Sequence, residues 1–181
     1  MRNFVIVGHK ATTNPNFSLE DIPGTSGRLD ILCRSVTAAF VISHCIRKDV
    51  CVYLVLLGGD VAKTIRLQGE TLRHLNPDER TTAALLKKAL AVPATLEWAM
   101  STSGIFVRTG GLAQVLDDLK AARLIYACYS LHGPNTRNTS KNIKNTHPGH
   151  GFVFLLDSKV LITRKSLSGS SSVKHSMMVI I

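Results

Sequence analysis

The chain is short of acid. Its 181 residues carry 22 Lys and Arg against 12 Asp and Glu, a net charge of +10 with a pI near 9.8. A deficit of that size points to an anionic partner, most economically a nucleic acid. Paired cysteines are absent as well: Cys33, Cys45, Cys51 and Cys128 form no C-x-x-C. That spacing argues against a metal site or a disulfide framework and for a reducing compartment, here the cytoplasm. Long apolar runs are missing too. The longest, Val50 to Leu57, is far short of a membrane span, and the N-terminal FVIV is too short for a signal peptide. There is no Walker loop, no G-x-S-x-G and no H-x-x-x-H, so no hydrolase or metal motif announces itself. No internal repeat divides the chain, and 1–181 reads as one domain.

What is present alternates in period. Asn3 to Gly8 and Val50 to Leu57 are apolar runs of strand length, and the second fits a strand buried on both faces of a parallel sheet. Thr64 to Leu67, Ile105 to Arg108, Leu124 to Tyr129 and Phe152 to Leu156 read as further strands. Between them, helical periodicity predicts helices over Arg28 to Arg47, from Asn76 to about Leu90, and over Leu112 to Arg123. Asn76, Pro77 and Glu79 have the spacing of a capping box. Pro93 to Ser103 reads as a connector with a short helix around Trp98. The pattern predicts an α/β fold with a mainly parallel sheet and helices on both faces.

The stretch that organises the rest is Pro23 to Asp49, PGTSGRLDILCRSVTAAFVISHCIRKD. A glycine-containing loop enters a helix N-terminus, a junction suited to anions. Asp30 and Arg34 are four apart and share a face; an ordinary solvated i,i+4 pair would look the same. Arg28 in the first turn opposes the helix dipole, which favours a binding role. The basic excess is also uneven. From His132 to Ile181, seven Lys and Arg face one acid, Asp157, a net +6. This segment reads either as a solvated tail or as a phosphate-contacting surface.

Several segments resemble one family: MRNFVIVGHKA at the start, LEDIPGTSGRLDILCRSVTAAFVISHCIRKDVCVYLVLLGG, HLNPDERTTAALLKKAL and SGIFVR. GRLDILCR and LNPDER are the specific motifs. They resemble the archaeal tRNA (pseudouridine(54)-N(1))-methyltransferase family, a branch of the SPOUT-class methyltransferases. The resemblance implies a SPOUT-like fold with a C-terminal trefoil knot and a homodimer. It implies methyl transfer from S-adenosyl-L-methionine to N1 of a pseudouridine in the T-arm of tRNA, without a metal. In that frame Asp30 contacts or deprotonates the pyrimidine, and Arg28, Arg34, Arg47 and Arg80 contact the RNA.

The cofactor-binding matches lie in the last third: Leu131, Leu156, the loop Ser166, Leu167, Ser168 and Gly169, and Ser176. Here the chain departs from the family pattern. Leu155-Leu156-Asp157-Ser158 stands where the family has a Gly-Asp-His turn, the proline of the Ser-Leu-Gly/Ser-Pro loop is missing, and Ser176 replaces a cysteine of the final helix. Two alternatives stay open: a non-catalytic or truncated RNA-binding relative, and a pseudouridine N1-methyltransferase acting on ribosomal RNA.

Overall fold

A computed structural model describes residues 2–43, 45–121, 125–129 and 175–180. Its centre is a seven-stranded sheet. Strand β1 (Arg2–Gly8) runs parallel to β4 (Val50–Leu56), Val5 opposite Tyr53 and Val7 opposite Val55. The link between them crosses over through helix α2 (Leu29–Phe40), as a parallel pair requires. Strand β5 (Lys63–Gln68) returns antiparallel to β4, followed outward by β7 (Ile105–Thr109) and β6 (Ala99–Thr102). On the other side of β1 lie β9 (His175–Ile180) and β8 (Ile125–Tyr129), both parallel. The order is β6-β7-β5-β4-β1-β9-β8.

The sheet is therefore mixed, with its β4 to β8 half parallel and its β5 to β6 half antiparallel. Two short links account for the antiparallel half: residues 57–62 join β4 to β5, and Ser103-Gly104 joins β6 to β7, too few for a crossover. Gly104 has φ +81°, and a Cβ there would lie 2.4 Å from Leu72 Cα.

Helices cover both faces. On one, α2 and α3 (Glu79–Ala91) bury Leu29, Leu32, Val36, Phe40, Leu86 and Leu90 against Ile6, Leu54, Ile65 and Val107. On the other, α4 (Leu112–Ala121) packs Val115 and Leu119 on Val5, Val7, Tyr53 and Val55. Among the described residues no helix is long and apolar enough to cross a membrane.

Four expectations change. The helix foreseen over Arg28 to Arg47 ends at Phe40. Val41 is extended, and β2 (Val41–Ile42) pairs with β3 (Cys45–Ile46) as a small hairpin, closed by the Arg47 N–H on the Phe40 carbonyl at 2.8 Å. β-Branched Val41 and Ile42 favour that extended exit. Asp78, not Asn76, caps α3, its carboxylate accepting from Thr81 N–H at 2.8 Å. Trp98 precedes a strand rather than centring a short helix. The segment containing His175 and Ser176, matched to a final helix, is strand β9, in keeping with its apolar Met177 to Ile180 run between two strands. The expected strand Phe152 to Leu156 lies outside the described residues.

Candidate functional site

The loop before α2 is set by close backbone approach. Lys10, just after β1, runs so near the chain that a Cβ at Gly27 (φ +64°) would lie 1.8 Å from its carbonyl oxygen, and one at Gly58 2.3 Å. The one-turn helix α1 (Ile22–Thr25) leads into this turn. Arg28 follows with φ 71° and ψ 34°, also left-handed, and its side chain does not cap the helix. Ser26 Oγ takes that role, accepting from Leu29 N–H at 3.1 Å. The turn swings Arg28 back along the first turn of α2.

There it meets Asp30. Arg28 Nε and Nη2 donate to Asp30 Oδ1 and Oδ2 at 3.0 and 3.2 Å. Arg34, one turn on, donates from Nη2 to Oδ2 at 2.7 Å. Asp30 is 3% exposed, whereas the side chains of Arg28 and Arg34 are 55% and 61% exposed. Burial alone raises the carboxyl pKa; the hydrogen bonds and charges of Arg28 and then Arg34 outweigh it and hold it below the usual carboxylate range. Asp30 is thus an ionised acceptor whose partners face outward.

The cluster extends to α3. Arg34 Nε lies 3.7 Å from Glu79 Oε2, and Arg80 Nη2 lies 4.0 Å from Glu20 Oε1. A concavity of about 450 Å³ opens beside them, lined by Leu19, Glu20, Ile22, Pro23, Asp78, Glu79 and Arg80. The fold so brings Arg28, Asp30, Arg34 and Arg80 to one side of the molecule. Arg47 is not part of this group; it follows β3 and has no ion pair among the described residues. Glu79 and Glu20 were missed as site residues. Glu79 sits inside LNPDER, but its capping-box spacing explained it without Arg34.

A second concavity, about 650 Å³, lies beyond the C-terminal ends of β1 and β4, lined by Thr12 to Asn16, Gly58 to Val61 and Lys63. In sheets of this kind ligands settle at that end of the strands. Its hydroxyls, amides and Asp60 suit a hydroxyl-bearing ligand. Of the residues matched to cofactor binding, Ser176 alone is described, with its backbone opposite Asn3 and Tyr126 in the sheet. Leu131, Leu156, Ser166, Leu167, Ser168 and Gly169 lie outside the described residues. Among the described residues no group of three or more His, Cys, Asp or Glu could hold a metal ion.

A protein of Methanococcoides burtonii named tRNA (pseudouridine(54)-N(1))-methyltransferase is 50% identical over 129 residues, 70% of this chain and 64% of that protein. Proteins of the same name from Haloferax volcanii and Haloarcula marismortui are 50% identical over 126 residues (65% and 60% of the two chains) and 60% identical over 90 residues (50% and 44%). The chain spans less than two thirds of the length of these relatives. Residues 1–168 match the model of the family described as "Putative SAM-dependent RNA methyltransferase". With that match over most of its length, the chain belongs to this family of SAM-dependent RNA methyltransferases.

Proposed function

We propose that the chain transfers a methyl group from S-adenosyl-L-methionine to N1 of pseudouridine 54 in the T-arm of tRNA. The observation that carries this is the buried, ionised Asp30 held between two outward-facing arginines, in a chain whose relatives bear that activity in their names.

Methylating a ring N–H demands two things of the protein: the nitrogen must be held in line with the methyl donor, and its proton must go elsewhere. The donor supplies an electrophilic sulfonium methyl. The three hydrogen bonds from Arg28 and Arg34 use three of about four acceptor positions on the Asp30 carboxylate. The remaining one accepts the ring N–H and fixes its direction. As the N–C bond forms and the donor's S–CH3 bond breaks to leave a neutral thioether, the N1 proton becomes acidic, and even a carboxylate of lowered pKa takes it. Arg28 and Arg34 contact the base oxygens or the flanking phosphates with their exposed edges. Arg80 and, further off, Arg47 add phosphate contacts.

The reading carries with it a single SPOUT-like domain with a C-terminal knot, a homodimer, and a cytoplasmic location beside tRNA. Calorimetric titration with S-adenosylmethionine tests it. Micromolar binding supports the enzyme; no heat at millimolar cofactor favours a non-catalytic RNA-binding relative.

A further inference from the structure

On the sheet face opposite Asp30, the Arg66 guanidinium has no acceptor among the described residues. Ile65 and Leu67 of β5 point into the α2–α3 core, so Arg66 between them points to the α4 side. It stands in a cross-strand row with Tyr53 and Phe106. Its guanidinium carbon lies 4.4 Å from the Trp98 ring centroid and 4.7 Å from that of Phe106. Trp98 also covers Arg108, at 4.3 Å. Arg108 has a carboxylate, Asp118, with Nη2 to Oδ2 at 2.7 Å, although out of line for a hydrogen bond. The Arg66 side chain makes no hydrogen bond or ion pair among the described residues, and its Nε is buried without a partner.

Two aromatic rings remove water from the faces of a guanidinium and hold it still, leaving its in-plane N–H edge as the reactive side. An edge so fixed and unpaired is suited to a bidentate anion, above all a phosphate. The row around it is half-buried and aromatic, and Met100 on the edge strand is 66% exposed. RNA offers phosphate oxygens for the guanidinium and bases to stack on the rings, and the net charge of +10 draws a polyanion. We propose that Arg66, clamped by Trp98 and Phe106, is a phosphate-binding fork of a second RNA-contact surface. The inference rests on the reading that this chain acts on RNA. Being on the face away from Asp30, this surface contributes affinity, not chemistry.

The test is tRNA binding by the full chain, followed by fluorescence anisotropy over a salt series, for wild type and Arg66→Gln. The dissociation constant rises about threefold to tenfold and the salt slope falls by about 0.7–0.9, the loss of one phosphate contact. Arg66→Lys retains most of the slope. An Arg66→Gln protein with wild-type affinity and slope overturns the proposal, as does one that keeps the slope but loses self-association in sedimentation, which assigns the face to a second copy. Wild type that binds no tRNA refutes the RNA reading itself. Should Arg66→Gln not fold, ultraviolet crosslinking of wild type to tRNA decides: crosslinked peptides within 98–106 support the fork, and their absence overturns it.

Discussion

Arg34 and Asp30 share the shortest contact of the polar cluster, Nη2 to Oδ2 at 2.7 Å, one helical turn apart. Arg34 also faces Glu79 at 3.7 Å. It therefore ties the first turn of α2 to the first turn of α3, and the two specific motifs of the sequence meet through this one side chain.

Asp30→Asn keeps the shape and removes the charge. Under the proposed function, methyl transfer falls by at least about 100-fold, because the ring N–H would lose its ionised acceptor. Stability falls by only about 1–3 kcal/mol, since both arginines are more than half exposed and rehydrate. Single-turnover rates together with thermal melts check both; an unchanged rate removes Asp30 from the mechanism.

The same pair sets a pH dependence. The Asp30 pKa is lowered in the fold, so its stabilisation is present above the unfolded carboxylate value and is lost as pH falls through the folded one. The melting-temperature gap between wild type and Asp30→Asn is full above about pH 5 and narrows below about pH 4. A gap that stays constant down to strongly acidic pH contradicts the ion pair.

Gly27→Ala is damaging for a backbone reason. The residue sits at φ +64°, and its new Cβ would be 1.8 Å from the Lys10 carbonyl oxygen. The cost is about 2 kcal/mol or more, from strain plus displacement of a backbone segment. Urea unfolding measures it. The turn also aims Arg28, so tRNA affinity falls with it.

Cysteine chemistry separates the buried from the exposed. Burial pushes the thiols of Cys33 and Cys51 up to about 12 and about 11, while Cys45 is exposed. Iodoacetamide at pH 8 labels Cys45 and leaves Cys33 and Cys51 unlabelled until the chain is unfolded. Rapid labelling of Cys33 in the folded protein contradicts the packing of α2.

Much of this is legible in the sequence, for identifiable reasons. The apolar runs of β1 and β4 and the periodicity of α3 and α4 are strong local signals, and the α/β arrangement follows from them. The antiparallel half of the sheet was not legible, because strand direction depends on link length and on which strand is left to pair. The early end of α2 was hidden because Ser43 and Arg47 continue the helical spacing that the Cys45–Ile46 hairpin interrupts. Asp30 and Arg34 could be paired from spacing alone. Their junction with Glu79 could not, since it joins residues 45 apart on two helices, and nothing local distinguishes a capping glutamate from a bridging one. Arg66 gave no signal either; only the cross-strand register brings Phe106 to it, with Trp98 over its guanidinium.

Incubation of the protein with isotopically labelled S-adenosylmethionine and two tRNAs, one with pseudouridine and one with uridine at position 54, decides whether it methylates this position. Digestion and mass spectrometry then locate the label. Under the proposed function one methyl is found per tRNA, on N1 of pseudouridine 54, with none on the uridine tRNA and none with Asp30→Asn. Label on neither tRNA, or equally on both, contradicts it.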